Sequence, residues 1–247
     1  MTALKDRVAI VTGASSGIGA AIAEALAAEG AQVALAARRV ERLHDLKERI
    51  EQDGGRVLVV PTDVTNREQV RALVAQAEDE LGPVDIMVAN AGVMPLSYMH
   101  NLHEDEWERM VDVNIKGVLN SIGAVLEGML DRGHGDIVAI SSDAGRKVFP
   151  GGAVYCGTKW AVEAILQGLR LEIAGSGVRV TSIQPGSTDT ELASAITDEE
   201  ILAQSKSREG MTALRADDVA RAVVYALRQP AYAAINEVLL RPSQQGQ

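Results

Sequence analysis

Short, continuous apolar runs recur along this chain, each followed by a longer stretch of helical character. Val8-Ala9-Ile10-Val11 is the first run, ended by Thr12-Gly13. Further runs lie at Val33–Ala37, Val57–Val60, Val84–Ala89, Ile137–Ile140, Val178–Ile183 and Glu237–Leu240. A strand apolar on both faces is buried on both faces, which requires a parallel sheet covered by helices. Helices are expected between the runs, at Ile18–Ala28, Val40–Gln52, Arg67–Leu81, Glu106–Leu130, Val154–Ala174 and Asp217–Leu227. Strict alternation of the two predicts an α/β fold, a Rossmann-like doubly wound parallel sheet of about seven strands with helices on both faces.

No low-complexity linker or internal repeat interrupts this order, so residues 1–247 read as one domain. The Asp/Glu-rich stretch Thr197–Gly210 lacks an apolar stripe, and a mobile insert over the site is expected at about 190–212. The formal net charge of −10 opposes binding to a nucleic-acid backbone. A single cysteine, Cys156, forms no internal disulfide and fits a reducing compartment. Neither an apolar leader in Met1–Asp6 nor a membrane-length apolar run of roughly 18 residues is present, so a cytoplasmic protein with no membrane partner is expected.

Between the first strand and the first helix stands Thr12-Gly13-Ala14-Ser15-Ser16-Gly17-Ile18-Gly19. Such a turn brings backbone N–H groups and the positive end of a helix to a pyrophosphate, with glycine wherever a Cβ would block the approach. The glycines fall at 13, 17 and 19, a wider spacing than the G-x-G-x-x-G fingerprint.

This turn, Asn90-Ala91-Gly92 after the fourth strand, and Tyr155-Cys156-Gly157-Thr158-Lys159 with Ser142 thirteen positions before Tyr155 together resemble the short-chain dehydrogenase/reductase family. Asn114 and Pro185-Gly186 also fall where that pattern has them, and the likeness runs in order along essentially the whole chain. One departure is Ala89-Asn90, where the family often has two asparagines. The resemblance implies a nicotinamide cofactor held by Gly13, Ser15, Ser16, Gly17, Ile18 and Gly19 at the turn. It places Asp63 and Val64 beside the adenine, and Asn90, Ala91 and Gly92 along the adenosine side. Pro185, Gly186, Thr188 and Thr190 would serve the nicotinamide end, the two threonines touching the carboxamide. It implies catalysis by Asn114, Ser142, Tyr155 and Lys159, with hydride taken from the 4-pro-S face. Lys159 would also hold the ribose hydroxyls, and Asn114 would support a proton-relaying water, which requires a distorted helix there. Dimers or tetramers are common in the family. The ends Pro185–Leu192 and Glu237–Gln247 are similar to clavulanic-acid-dehydrogenase-like reductases.

The second strand ends Ala36-Ala37-Arg38-Arg39, with no acid where an NAD site usually carries one. A carboxylate repels a 2′-phosphate and a guanidinium binds it in a fork. NADP(H) is therefore the expected cofactor, with Arg38 as main contact and Arg39 and Ser15 assisting; Tyr155 and Lys159 complete the cofactor-facing set.

Tyr155 and Lys159 are four apart in a helical stretch and share a face. A free phenol has a pKa near ~10. A neighbouring ammonium lowers it, so a phenol tuned toward neutral pH is expected as general acid/base. Ser142 would hold the substrate oxygen against it. Asp143, Arg146, Lys147 and Phe149 are expected to rim the cleft, and Met94, Tyr98, Trp160, Ser187 and Met211 to wall it or cover it. A medium-sized, partly apolar carbonyl compound or alcohol fits such a lining. The histidines 44, 100, 103 and 134 form no metal spacing beyond a loose His100/His103 pair with Glu104 and Asp105, and no metal is expected. No G-x-S-x-G elbow surrounds Ser142, and Cys156 reads as a packed helix residue. Leu166, Leu169 and Ile173 suggest a spare apolar stripe through which a homodimer or homotetramer would form. The predicted activity is hydride transfer between NADP(H) and a ketone, aldehyde or secondary alcohol. The alternative is a catalytically silent cofactor-binding sensor or scaffold. An epimerase or dehydratase sharing the Tyr/Lys pair would carry an added C-terminal domain.

Overall fold

The computed structural model describes residues 4–205 and 212–246. Its strands are β1 (Val8–Thr12), β2 (Gln32–Ala37), β3 (Val57–Pro61), β4 (Val84–Ala89), β5 (Gly135–Ile140), β6 (Val178–Pro185) and β7 (Glu237–Leu240). They form one seven-stranded sheet in the order β3-β2-β1-β4-β5-β6-β7, with every pairing parallel. The Rossmann-like, doubly wound fold expected from the alternation is the fold observed.

Alternation along each strand divides the core into two layers. Ala9 and Val11 of β1 join Ile22 and Leu26 of α1 (Gly17–Ala28), Leu43 and Leu46 of α2 (Val40–Gln52), and Val219 and Val223 of α8 (Ala216–Leu227). Val8 and Ile10 turn the other way, toward Leu73 of α3 (Arg67–Leu81), Ile122 and Met129 of α5 (Gly117–Arg132), and Leu166 of α6 (Ala153–Glu172). All five residues of β1 are buried, and each such aliphatic side chain contributes roughly 1.5–3 kcal/mol.

Two expectations change. The single helix expected over Glu106–Leu130 is α4 (Glu104–Val111), a π-turn at Asp112–Lys116, and then α5. A π-turn takes one extra residue and re-aims the side chains around it. Here that side chain is Asn114, committed to contacts outside its own helix. The stripe Leu166, Leu169 and Ile173 is not spare: these residues are 0%, 6% and 9% exposed, taken up by the sheet layer. The apolar side chains that α5 and α6 do leave exposed include Leu119, Leu130, Trp160 and Leu171.

Within the insert expected at 190–212, a 3-10 turn spans Glu191–Ala195 and α7 spans Glu199–Ser205. Residues 206–211, and so Met211, lie outside the described residues. Asp198 ties this region down: its carboxylate accepts from the N–H of Glu200 and of Ile201 (both 3.0 Å), from Tyr98 N–H (3.1 Å) and from Asn101 Nδ2 (2.8 Å). No helix among the described residues is long and apolar enough to cross a membrane.

The strand order reverses between β1 and β4. Loops leaving the carboxyl ends of these neighbours diverge, which opens a crevice at that edge. At the opposite end, Asp136 receives hydrogen bonds from Arg7 Nη2 (2.6 Å) and from Arg179 Nε (2.7 Å) and Nη2 (3.0 Å), clamping β5 to its neighbours.

Candidate active site

A cavity of about 1340 Å³ opens at the carboxyl ends of the strands. Its lining runs from Gly13, Ser15–Gly19, Arg38, Arg39, Asp63 and Val64, through Asn90, Ala91 and Gly92, to Ser142, Tyr155, Lys159, Pro185, Gly186, Thr188 and Thr190. It exceeds the roughly 300–1,000 Å³ of a typical small-molecule pocket, leaving room for a dinucleotide and a small second ligand.

The glycine turn is held by its neighbour across the switch point. Gly13 has φ +67°, and a Cβ there would stand 2.8 Å from Ala91 Cα. Gly19 is equally confined, since its Cβ would meet both Asn90 Nδ2 and the Gly13 carbonyl oxygen at 2.4 Å. Asn90 Nδ2 donates to the carbonyls of Thr12 (2.8 Å) and Gly13 (3.3 Å). In return, Thr12 Oγ1 accepts from the N–H groups of Asn90 (3.0 Å) and Ala91 (3.2 Å). Thr12 escapes a sequence reading centred on the glycines; its signal is a hydroxyl at the last residue of a buried strand. Ser16 caps α1 with extended backbone and no side-chain cap bond, so the first N–H groups of the helix face the cavity unsatisfied by a cap.

At the end of β2 no carboxylate stands: Ala37 is buried and both following arginines line the cavity. The sequence points to Arg38 as the main contact, whereas Arg39 makes the polar contacts to the turn. Its Nε donates to Ser15 Oγ (3.1 Å), its Nη2 to Ser16 Oγ (2.5 Å) and its Nη1 to Glu191 (3.0 Å). Asp63 folds onto Thr65, accepting from its N–H (3.0 Å) and hydroxyl (2.8 Å), and Asn120 Nδ2 holds the Val64 carbonyl at 2.8 Å. Thr188 Oγ1 donates to the Gly186 carbonyl (3.0 Å), and Thr190 Oγ1 caps the turn that follows it.

Tyr155 and Lys159 lie one turn apart on α6, both buried, with the Lys159 Nζ 5.8 Å from the Tyr155 ring centroid. Lys159 donates to the Ile140 carbonyl at the end of β5 (3.0 Å). Ser142 Oγ accepts from Ala144 N–H (3.1 Å) and donates to the Pro185 carbonyl (3.4 Å), which fixes it at the mouth of β5 and β6. Asn114 bonds both backbone groups of Val93, with Oδ1 accepting at 2.9 Å and Nδ2 donating at 3.0 Å, and donates to Thr158 Oγ1 at 3.1 Å. A Cβ on Gly92 would lie 3.4 Å from Asn114 Oδ1 and 3.9 Å from Lys159 Nζ, so these groups share one small space. The structure thus brings together all four residues named for catalysis.

The electrostatics differ from expectation. The phenol of Tyr155 is pushed up to about 12, because burial outweighs the Ser142 hydrogen bond that pulls it down. Burial likewise lowers the Lys159 amine to about 8, partly opposed by Glu163. Proximity of an ammonium alone predicts a depressed phenol; desolvation of both groups is the larger effect in this site. Near neutral pH the tyrosine is a phenol and the lysine mostly an ammonium, so both protons are in place.

Around this group, Met94, Tyr98, Lys147, Phe149 and Ser187 line the cavity as expected. Trp160 does not: it is half-exposed on the far face of α6. Arg146 also points elsewhere, to Gln184 Oε1 (3.0 Å) and Glu237. The charge of Lys147 is taken by Asp143 (2.9 Å), which also receives Arg241 Nε (3.1 Å) and Gln245 Nε2 (2.8 Å) from the C-terminal segment. Arg241 and Gln245 stand about a hundred residues from Asp143 in sequence, beyond the reach of any local motif.

Known proteins are similar to this chain along most of its length. The family model for short chain dehydrogenases matches residues 7–201. Glycine betaine reductase ATRR of Emericella nidulans is 56% identical over 239 residues, covering 97% of this chain but only 19% of that longer protein. An uncharacterized oxidoreductase of Staphylococcus saprophyticus is 44% identical over 247 residues, covering 99% of each. Among solved structures, the closed form of serine dehydrogenase complexed with NADP+ superposes with a TM-score of 0.90 at 34% identity, over 97% of this chain and 96% of that one. An alcohol dehydrogenase from the archaeon Thermococcus sibiricus, complexed with 5-hydroxy-NADP, gives 0.86 at 32%, over 98% of each. With the family model spanning most of its length and full-length relatives above 40% identity, this chain belongs to the short-chain dehydrogenase family and is an oxidoreductase of that family.

Proposed function

We propose that the protein is an NADP(H)-dependent oxidoreductase that reduces a small aldehyde or ketone, or oxidises the matching alcohol, with Tyr155 as the acid/base. The observation that carries this reading is the convergence of Ser142, Tyr155 and Lys159 in the same cavity as a braced glycine turn and two arginines, with Asn114 close to Gly92 and bonded to Thr158. The residues fit a phosphorylated dinucleotide: a cradle that a Cβ at Gly13 or Gly19 would fill, a helix N-terminus without a cap bond, and guanidinium groups in place of an acid. When bound, NADPH supplies the hydride that goes to the carbonyl carbon.

This chain's residues supply the proton. Ser142 holds the carbonyl oxygen toward Tyr155, and the phenol donates its proton as the oxygen becomes an alkoxide. A phenol held near 12 at rest is fully protonated at neutral pH and suits the reductive direction. The Lys159 ammonium stabilises the phenolate left behind, and Asn114 anchors the route by which protons return.

The substrate reading is finer. Resemblance of the C-terminal end to clavulanic-acid-dehydrogenase-like reductases names no substrate. The identity to glycine betaine reductase ATRR favours a small aldehyde bearing a quaternary ammonium, since hydride adds to an aldehyde and not to a free carboxylate. Tyr98 and Phe149 are aromatic residues of the cavity lining, and aromatic rings attract such a cation. Function in the cytoplasm as a homodimer or homotetramer, using exposed Leu119, Leu130, Trp160 or Leu171, belongs to the same proposal.

The test is NADPH and NADH oxidation against a carbonyl panel containing trimethylammonioacetaldehyde, neutral aldehydes and ketones. Turnover with NADPH preferred, lost in Tyr155→Phe while NADPH binding persists, is expected. Stoichiometric NADPH binding without turnover on any carbonyl would favour the silent sensor or scaffold.

A further inference from the structure

The segment after β6 is pinned to the arginines at the cofactor end of the cavity. Glu191 opens the 3-10 turn Glu191–Ala195, directly after Thr190. Its carboxylate accepts from Arg42 Nη1 on both oxygens, each at 2.7 Å, and from Arg39 Nη1 at 3.0 Å. The same Arg39 holds Ser15 and Ser16 of the glycine turn. Arg42, three residues on from Arg39 and one turn into α2, plays no part in the sequence motifs. An anion therefore already sits on two guanidiniums beside Arg38, where β2 ends without an acid. Glu191 lines the cavity together with Leu192, Ile196 and Ile201 of the same segment.

We propose that Glu191 is a built-in competitor for the 2′-phosphate, occupying Arg39 and Arg42 until that phosphate displaces it. The inference rests on the NADP(H) reading above. A phosphate monoester carries more charge than a carboxylate and three strong acceptor oxygens, so it wins the guanidiniums, at a cost in affinity. A cofactor without the phosphate leaves the Glu191 contacts in place and meets no such opposition. Because Glu191 begins the segment that also walls the cavity, phosphate arrival releases the start of that wall. The pairs are half-exposed, with Arg39, Arg42 and Glu191 side chains 47%, 46% and 52% accessible, so the competition is modest and salt-sensitive.

Calorimetric titration of wild type and Glu191→Gln with NADPH, NADH and adenosine 2′-monophosphate, at low and at high salt, tests this. The expected result is about fivefold tighter binding of NADPH and of the 2′-monophosphate by Glu191→Gln, NADH unchanged, and the gain lost at high salt. Unchanged or weaker binding of the phosphorylated ligands, or an equal gain for NADH, overturns the proposal. Wild type that binds NADH better than NADPH overturns the cofactor reading itself, and that arm needs no variant.

Discussion

Lys159 is a buried amine whose proton the folded protein holds less tightly than water does, and this sets a measurable pH dependence. Its pKa falls from 10.5 to about 8 in the fold, through burial. Below pH 8 both folded and unfolded chains carry the proton, and the fold bears the whole desolvation cost. Between 8 and 10.5 the unfolded chain binds more protons than the folded one, so stability rises with pH across that window. The slope is about 1.4 kcal/mol per pH unit for one group, which gives about 2 kcal/mol between pH 7 and pH 9.5. Lys159→Met keeps length and apolar bulk but removes the titration. It also removes the bond to the Ile140 carbonyl, whose dependence on pH is already contained in the folded pKa of the amine. Tyr155, held near 12, begins to lose stability only as the unfolded phenol ionises near 10, and does so in both proteins. Urea unfolding without cofactor at pH 7 and 9.5 is the assay. Wild type should gain about 2 kcal/mol relative to Lys159→Met on raising the pH. Parallel profiles would mean that the fold does not lower the amine's pKa, and the reading that burial dominates the electrostatics of this site would be refuted.

Two further outcomes follow from packing. Gly19→Ala places a methyl 2.4 Å from the Gly13 carbonyl oxygen and from Asn90 Nδ2, where backbone leaves little to yield. An overpacking cost of about 1–3 kcal/mol, with the Asn90–Thr12 brace loosened, should lower Tm by roughly 3–10 °C and weaken NADPH at least tenfold; calorimetry and thermal unfolding read both. Asp136→Ala strips three charge-assisted bonds from Arg7 and Arg179 at the far end of the sheet. It should cost about 3 kcal/mol, or roughly 6–12 °C in Tm, with NADPH affinity unchanged, so an altered affinity would show that the two ends of β5 are coupled.

What could be read in advance followed the range over which each signal acts. Strands buried on both faces write themselves as unbroken apolar runs, so β1 is visible as Val8–Val11 and ends within one residue of expectation. Glycine at 13 and 19 is legible because a strand–turn–helix asks for it in a phosphate-binding turn, although the contacts that demand it come in part from Asn90 and Ala91, and the four residues named for catalysis are carried by ordered motifs. Local periodicity, however, cannot tell which of several apolar stripes the sheet will take, which is why Leu166, Leu169 and Ile173 looked spare and are not. Nor does it register the π-turn at Asn114, a distortion that only the family resemblance implies, because the partners Asn114 bonds, Val93 and Thr158, lie 21 and 44 residues away. The same distance hides Glu191 from Arg39 and Arg42, and Gln245 from Asp143. The phenol of Tyr155 shows the limit most clearly. Its neighbour Lys159 is legible four residues on and is the reason to expect a lowered pKa, yet burial, which sums over every element that closes the cavity, outweighs the Ser142 hydrogen bond and pushes it to about 12. A pairwise contact can be inferred from spacing; a desolvation cannot be, because it belongs to the whole fold.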